Sequence, residues 1–375
     1  MSRYEVVRLR GGATVAAGTT SARLKAATMR VLVTGGGGYI GAVLCRHLLE
    51  SGHPPVVLDR LFWGRKPLAG LDVEIIRGDL RAFDDAWLTG VDAVCHLAGL
   101  SNDPTAEYNT EANWQMNALG TERLVAACVA RGVRRFTFAS SASLYDSEAS
   151  SHDVARSPTM CDETTDLTPR GAYSLSKKYA EDVVLRAASD AFAPVVFRQG
   201  TVYGYSPRMR FDLVVNTFVK DAIAQRRLFL HGGGWMWRPL VDVEDVAAVH
   251  VMALAAPLDR IRGQVFNVLE ENYQIRQLAM LVAGSLGLLD PPIRVDLREA
   301  PLPEFVRNYR MSNAKLSRVL GFTPSRTVLE SIQRMLERLP LDRLDDYGDP
   351  RHYNIRWMTL LEEFHAEQRE FTSIY

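Results

Sequence analysis

The chain has 375 residues, and its 44 Lys and Arg balance its 44 Asp and Glu, so the formal net charge is zero. This length allows about two domains or one large one. A neutral chain without a basic cluster argues against nucleic acid as the main partner. No apolar run reaches the roughly 20 residues of a membrane span, so a membrane partner is not expected either.

The spacing of cysteine and histidine excludes two further classes of site. The four cysteines show no Cys-x-x-Cys spacing, so we expect buried thiols and a cytoplasmic protein. The eight histidines form no His-x-x-x-His or comparable ligand pair, and we therefore predict no metal site.

Residues 1–28 differ from the rest of the chain. They contain Arg and Lys but lack the uninterrupted apolar core of a secretory signal. We predict a disordered leader, or the product of an upstream start codon, that ends just before Met29 and the first strand.

Apolar strands alternate with helices from Met29 to about Gly204. Helices are predicted at Ala42–Ser51, Glu107–Gly132 and Tyr173–Ser189 from their apolar spacing. This alternation indicates an α/β fold with a doubly wound parallel sheet that is covered on both faces. The six predicted strands are RVLVTG, PPVVLD, DVEIIRGD, VDAVCHLAG, RRFTFAS and APVVFRQG.

A glycine-rich turn follows the first strand and precedes the first helix. Gly35, Gly38 and Gly41 are spaced by three residues in VLVTGGGGYIG. The first allows the tight turn, the second lets the backbone approach a diphosphate, and the third lets helix and strand pack closely. The helix N-terminus then offers free N–H groups to the phosphates. The turn therefore predicts a Rossmann-type, dinucleotide-binding sheet.

The residue that ends the second strand indicates which dinucleotide binds. Asp59 lies about 20 residues after the glycines, where a carboxylate accepts hydrogen bonds from the ribose hydroxyls and repels a 2′-phosphate. Arg60 complicates this interpretation, because an arginine beside this position can pair with a 2′-phosphate. We predict NAD rather than NADP.

Tyr173 and Lys177 provide a candidate proton-transfer pair. Their Tyr-x-x-x-Lys spacing on a helix places both side chains on one face. A tyrosine with an ordinary pKa near 10 is a poor base at neutral pH. A neighbouring ammonium and the positive nicotinamide of NAD⁺ would favour the phenolate and lower that pKa. Tyr173 is thus a candidate general base for a sugar hydroxyl.

These motifs together resemble the extended branch of the short-chain dehydrogenase/reductase superfamily, its NAD-dependent sugar-nucleotide epimerase/dehydratase family. The resemblance covers about Met29 to Phe322 and places the catalytic hydroxyl at Ser141. It implies further cofactor-binding residues in the motifs GGGGYIG, GDL, HLAGL, NALGT and FASS. These are Tyr39, Ile40, Asp79, Leu80, Leu97, Ala98, Gly99, Asn117 and Ser140.

The residues after Ser141 discriminate among the reactions of this family. The family's 4,6-dehydratases carry an acidic pair there, whereas this chain has Ala142 and Ser143, with no carboxylate before Asp146. The resemblance therefore implies a 4-epimerase that works through a keto sugar. A keto-sugar reductase or dehydrogenase with net hydride transfer needs the same triad and stays open, and a non-catalytic NAD-binding regulator is the third alternative.

Beyond Gly204 the regular alternation fades. We predict that residues 29–204 form mainly the NAD-binding domain and that residues 205–340 form a smaller, mixed α/β substrate lobe, with some chain crossing back. Residues 341–375 are predicted as a C-terminal helical extension. The resemblance implies a nucleoside-diphosphate sugar as substrate, with Arg310 as a competitor of Arg307. Its implied contacts are Asn102, Ser143, Thr201, Asn216, Arg238 and Arg307.

Two of these substrate positions carry alternatives. Thr201 replaces an asparagine that is common in the family, which puts a substrate hydrogen bond there in doubt. Asn102 is either a substrate contact or a turn-forming residue. The resemblance also implies a homodimer, in which the helices predicted at Glu107–Gly132 and Tyr173–Ser189 from each subunit form a four-helix bundle.

Overall fold

An eight-stranded sheet forms the centre of the protein. The computed structural model describes residues 6–8, 28–145, 158–303 and 307–374. The strands of this sheet run in the order β1-β4-β3-β2-β5-β6-β8-β12, and all are parallel except β1. They are β1 (Val6–Arg8), β2 (Val31–Thr34), β3 (Pro55–Asp59), β4 (Glu74–Arg77), β5 (Ala93–His96), β6 (Arg135–Ser141), β8 (Ala193–Gln199) and β12 (Gln264–Val268).

Shorter strands form three small sheets. Together with the helices that pack on them, these sheets are called the second lobe. Their orders are β13-β11-β9, β10-β14 and β15-β7. The strands are β7 (Met160–Cys161), β9 (Thr201–Tyr203), β10 (Arg227–His231), β11 (Trp237–Asp242), β13 (Glu271–Gln274), β14 (Asp296–Ala300) and β15 (Arg310–Met311). Together with the parallel sheet, these mixed sheets confirm the predicted fold class.

Helices cover both faces of the main sheet and build most of the lobe. None in the described part of the chain is long and apolar enough to cross a membrane. They are α1 (Tyr39–Glu50), α2 (Asp103–Tyr108), α3 (Thr110–Asn113), α4 (Gly120–Ala130), α5 (Gly171–Arg186), α6 (Val214–Gln225), α7 (Val243–Ala255), α8 (Leu258–Ile261), α9 (Ile275–Gly287), α10 (Ala314–Leu320), α11 (Val328–Arg338) and α12 (Asn354–Ile374).

The continuous apolar strands are explained by burial on both faces. All four residues of β2 are buried. On one face Leu32 packs in a cluster with Leu124 of α4 and Val184 of α5. On the other face Val33 belongs to a cluster with Leu44 of α1. The strand order reverses between β2 and β5, so a crevice opens at the carboxyl ends of these two strands.

Two sequence predictions about secondary structure need correction. The single helix predicted at Glu107–Gly132 is interrupted at Asn109, whose side chain accepts the Ala112 N–H and so begins a new helix. It also contains a π-helical turn at Trp114–Leu119. In the leader predicted to be disordered, Val6–Arg8 instead pair antiparallel with β4; residues 1–5 and 9–27 lie outside the described residues.

The second lobe has its own core and also returns chain to the main sheet. Val219 of α6, Leu278 of α9 and Ile332 of α11 are fully buried in one cluster. Helix α7, which follows β11 of the lobe, packs against α1, and β12 pairs with β8 at the edge of the main sheet. The two lobes are therefore interleaved along the chain.

A buried ion pair holds α5 against the main sheet. Glu181 of α5 accepts hydrogen bonds from the Arg198 guanidinium on β8 and from the Ser140 hydroxyl on β6, the latter at 2.8 Å. Arg198 also donates to the Tyr145 hydroxyl at 2.7 Å. Because every partner is buried, this network fixes the position of α5, which carries Tyr173 and Lys177.

We expect Glu181→Leu to lower the free energy of unfolding by about 3–5 kcal/mol, because Arg198 would keep an uncompensated buried charge. The double variant Glu181→Leu, Arg198→Met should recover most of the loss. Denaturant unfolding followed by circular dichroism measures both. Asp182→Asn is the control, since it breaks the half-exposed Lys178–Asp182 pair on the same helix and should cost about 0.5 kcal/mol or less. Equal losses for the two single variants would contradict the assignment.

Candidate active site

A cleft of about 540 Å³ lies at the carboxyl ends of the parallel strands, between the main sheet and the second lobe. It contains most of the residues that the sequence singled out. These are Gly35, Gly38, Tyr39, Ile40, Gly41, Asp59, Arg60, Asp79, Leu80, Leu97, Ala98, Gly99, Asn102, Ser140, Ser141, Ser143, Tyr173, Thr201, Arg238 and Arg307. Asn117, Lys177 and Asn216 are not among the lining residues.

The glycine turn forms the floor of the cleft. Gly35 has φ +74°, and a side chain at Gly41 would collide with the Gly35 carbonyl oxygen. Gly38 caps α1 without a side-chain hydrogen bond, and the first turn of α1 contains no acidic residue. The first N–H groups of this helix are therefore available to an anion, and the partial positive charge of its N-terminus adds to the attraction.

Asp59 lies at the edge of this floor, at the end of β3. Its carboxylate accepts the Gly37 N–H at 2.9 Å and the Leu61 N–H at 2.6 Å. Burial raises its pKa, while these two N–H donors act in the opposite direction. Arg60 is 3.2 Å from the Asp79 carboxylate, measured from Nε to Oδ2, so its charge is already partly compensated. This pairing weakens the case for a 2′-phosphate partner at Arg60.

Ser141 ends β6, and Tyr173 and Lys177 of α5 lie beside this end of the strand. Burial raises the pKa of Tyr173 to about 12, although the nearby Ser141 hydroxyl lowers it in part. Lys177 lies behind them and donates to the Ala139 carbonyl at 2.9 Å, and burial lowers the pKa of its ammonium to about 8. In the free chain the tyrosine is therefore a phenol, and the lowered pKa that the sequence predicts in the presence of NAD⁺ stays a prediction.

The two neighbouring serines have different environments. The Ser140 hydroxyl donates to Glu181, and its contact with the cofactor stays a prediction. The Ser143 hydroxyl oxygen is buried, lines the cleft and has no hydrogen-bond partner among the described residues. An unpartnered hydroxyl in a cleft wall suits a ligand contact, because leaving it unpaired is costly.

A group of charged side chains lies on the lobe side of the cleft. Arg307 donates to the Asp103 carboxylate at 2.6 Å and to the Ser143 carbonyl at 3.3 Å. Arg238 donates to the backbone carbonyl of Arg307, which brings the two predicted arginines together. Arg310, the competitor, lies instead against the ring of Trp237 at 4.9 Å and is not a lining residue. The geometry therefore favours Arg307.

Two asparagines predicted to bind ligands are used to hold backbone. Asn117 accepts the Leu100 N–H and donates to the Leu100 carbonyl, which fixes the loop after β5. Asn216 is fully buried, where it accepts the Gly204 N–H and donates to the Tyr39 hydroxyl. Neither residue lines the cleft, and their contacts with cofactor and substrate stay predictions.

Asn102 has the turn-forming role that the sequence left open. It has φ +75° and accepts the Thr105 N–H, which begins α2. Its amide also donates to Asp212 at 3.3 Å and lines the cleft. Thr201 lines the cleft at the start of β9.

Several lining residues were not predicted from the sequence. Arg210 is buried, pairs with Asp212 and donates to the Ser101 hydroxyl. The two arginines of SPRMRFD were a possible signal, because cations so close together next to a predicted helix suggest an anion site. The other unpredicted lining residues include Phe62, Trp63, Asp103, Arg208, Tyr309, Asn354, Met358, Leu361, Glu362 and His365.

The sequence and the fold are similar to those of several known proteins. UDP-glucose 4-epimerase of Corynebacterium glutamicum is 27% identical over 81% of this chain and 93% of its own length. GDP-6-deoxy-D-mannose reductase of Pseudomonas aeruginosa is also 27% identical, over 82% and 96% respectively. The structure of Thermus thermophilus UDP-glucose 4-epimerase in complex with NAD superimposes with a TM-score of 0.68 at 25% identity, covering 83% of this chain and all of the other.

The strand–glycine turn–helix floor, the acidic end of β3 and the parallel sheet all lie within the segment that a family model also recognises. The NAD dependent epimerase/dehydratase family model matches residues 31–268, more than half of the chain. The protein therefore belongs to the NAD-dependent epimerase/dehydratase family.

Proposed function

We propose that this protein is an NAD-dependent epimerase that inverts C4 of a nucleoside-diphosphate sugar through a transient 4-keto sugar. The observation that carries the proposal is that Ser141 and Tyr173 both line the cleft, close enough for the serine hydroxyl to act on the pKa of the tyrosine. Ser141 is followed in the chain by Ala142 and Ser143 rather than by carboxylates. Such a site can move a proton to and from a sugar hydroxyl but has no acid at that position to expel water.

The residues on the sheet side fit NAD. The first turn of α1 and the glycine turn would hold its diphosphate, and Asp59 would accept from its adenosine ribose hydroxyls. Bound NAD supplies hydride acceptance and return at the nicotinamide. Lys177, one helical turn after Tyr173 on α5, would donate to the nicotinamide ribose in place of its present acceptor, the Ala139 carbonyl.

Proton transfer depends on the charge state of Tyr173. Burial raises its pKa to about 12, so the phenol stays protonated at neutral pH in the free chain. The positive charge of an oxidised nicotinamide would favour the phenolate. Tyr173 would then take the proton of the sugar 4-hydroxyl through Ser141 and return it after the keto sugar rotates.

The lobe side supplies cations for a sugar nucleotide. Arg238 and Arg307 would bind its diphosphate, since a guanidinium fork matches two phosphate oxygens. Arg307 would exchange its present partner, the Asp103 carboxylate, for phosphate. The unpartnered Ser143 hydroxyl would bind a sugar hydroxyl on the same side.

A nucleotide-sugar oxidoreductase is the second candidate. The triad serves that reaction equally well, and one of the relatives is named a reductase. The two reactions differ in whether NAD is recycled in place or exchanged after each turnover. A 4,6-dehydratase is disfavoured by Ala142 and Ser143, and a non-catalytic regulator is disfavoured by the complete Ser141, Tyr173 and Lys177 set.

If the protein is an epimerase, the purified chain should carry NAD and interconvert two sugar nucleotides without added cofactor. No net change in nicotinamide absorbance should accompany turnover, because the hydride returns to the same carbon. Tyr173→Phe should reduce turnover by about 10²-fold or more while NAD stays bound. Chromatography of the sugar nucleotides measures conversion; activity that needs added cofactor and consumes it would establish the oxidoreductase instead.

The pKa of Tyr173 provides an independent test of its role. We expect no ionisation of this residue in the free chain at mildly alkaline pH, since its pKa is raised to about 12. Saturation with NAD⁺ should bring its ionisation to lower pH, whereas NADH, which lacks the positive ring, should not. The tyrosinate difference absorbance between wild type and Tyr173→Phe reports this; a titration unchanged by NAD⁺ would refute the base assignment.

We propose a homodimer in the cytoplasm. Exposed apolar side chains on the predicted bundle helices support the dimer, among them Trp114, Val129 of α4 and Leu175 of α5. Exposed apolar side chains on helices that are predicted to pair favour association. The four thiols, which are all free, suit a reducing compartment.

Leu175→Glu should convert the dimer to a monomer, because it places a charge in the apolar interface. Light scattering measures the mass of both proteins. Met280→Glu is a matched control, since Met280 on α9 of the lobe is at least as exposed. A wild-type chain that is monomeric at micromolar concentration would count against the dimer.

A further inference from the structure

Arg208 is a buried cation in the wall of the cleft, on the loop between β9 and α6. Its side chain is 5% exposed. The guanidinium carbon lies 3.7 Å from the centre of the Trp63 ring, and Nη2 donates to the Asn354 side-chain oxygen at 2.6 Å. Its Nε has no hydrogen-bond partner among the residues that the structure describes.

The charge of Arg208 is poorly compensated by the protein itself. Asp212 is the carboxylate that attracts the charge of Arg208 electrostatically. This carboxylate is already paired with Arg210 at 2.8 Å. Burial, and then repulsion by Arg210, lower the pKa of Arg208 to about 9. Burying a guanidinium costs folding free energy when its acceptor is a neutral amide and its Nε–H group has no acceptor. An anion from outside the chain that pairs with the guanidinium would offset this cost.

The loop that carries Arg208 is attached to the dinucleotide side of the cleft. The Ser206 hydroxyl donates to the Tyr39 carbonyl at 2.7 Å, and the Tyr39 hydroxyl donates to the Gly204 carbonyl at 2.7 Å. Tyr39 is the first residue of α1, at the glycine turn. Trp63, whose ring lies against the Arg208 guanidinium, follows Asp59 in the loop after β3. In contrast, Arg307 donates to the Ser143 carbonyl, and Arg238 donates to the Arg307 carbonyl.

We infer that Arg208 binds the diphosphate of NAD from the lobe side of the cleft, opposite the glycine turn, and that Asn354 of α12 is its positioning residue. The dinucleotide would thus be held by backbone N–H groups on one side and by a guanidinium on the other. Asn354 is itself buried, and its amide reaches the Ser101 carbonyl and the Thr105 hydroxyl at 3.4 Å. The C-terminal helix, outside the matched residues 31–268, then becomes part of the cofactor site.

Arg208→Gln tests this inference by calorimetric titration of the full chain after charcoal treatment has removed nucleotide. We expect NAD and ADP-ribose to bind at least about tenfold more weakly, because a charge-assisted hydrogen bond to phosphate is lost. Adenosine, which has no phosphate, should bind as to wild type. Arg276→Gln is the matched control, since Arg276 also lies over a tryptophan ring, that of Trp235, at 5.1 Å. Neither Arg276 nor Trp235 lines the cleft, so this variant should leave NAD binding unchanged.

A second variant separates the role of Arg208 from a folding defect. Asn354→Asp places a carboxylate where the guanidinium now meets an amide oxygen, so the ion pair should compete with phosphate. We expect weaker NAD binding without a lower melting temperature of the nucleotide-free chain. If NAD affinity stays within about twofold of wild type in both folded variants, the inference is wrong.

The affinity for UDP distinguishes binding of the NAD diphosphate from binding of the sugar-nucleotide diphosphate. Its affinity should be unchanged by Arg208→Gln and should fall for Arg307→Gln. A loss of UDP binding with NAD binding intact would assign Arg208 to the sugar nucleotide and overturn the inference. None of these measurements involves turnover, so they stand or fall separately from the proposed epimerase activity.

Discussion

A buried hydrogen-bond network around Tyr39 fixes the geometry of the cleft, because it joins the glycine turn to the second lobe. The Tyr39 hydroxyl and carbonyl bond to Gly204 and Ser206, and Asn216 bonds to both Tyr39 and Gly204. Each of these polar groups makes a hydrogen bond in the buried interior, where an unpaired polar group would cost free energy. Such bonds form only when the two lobes have one particular arrangement. The distance between the floor and the lobe wall is therefore set by directional bonds as well as by apolar packing.

The main sheet could be predicted from the sequence because its signals are local. Each strand is a short apolar run. The glycine spacing indicates that the backbone at Gly41 lies close to the Gly35 carbonyl, a contact that any side chain at Gly41 would prevent. The break at Asn109 was missed because apolar periodicity continues across it, while a single side-chain hydrogen bond decides the local backbone. The hydrogen bonds of Asn216 could not be predicted for a related reason, since its partners include Tyr39, which lies far away in the chain, and its sequence context shows only a polar residue on a helix.

The charges in the cleft could not be predicted from spacing, because they depend on which groups the fold buries together. Tyr173 and Lys177 have the predicted spacing, yet burial moves their pKa values in opposite directions, to about 12 and about 8. Both shifts favour the neutral forms, so the free cleft resists the ionisation that proton transfer requires. In the proposed mechanism a bound cation beside the phenol would change that balance, so activation of Tyr173 as a base would depend on an oxidised cofactor.

The C-terminal helix would connect the proposed chemistry to cofactor retention. Trp357 of α12 donates to the Phe62 carbonyl, and Tyr108 of α2 donates to Glu362 of α12. Met358 and Leu361, between these attachments, line the cleft. If a dinucleotide binds beneath α12 as proposed, it would leave only when such contacts break, and its exchange would be slow. Slow exchange would limit an enzyme that must replace NAD at every turnover but not one that returns the hydride, so the position of α12 supports the proposed redox-neutral reaction over the oxidoreductase.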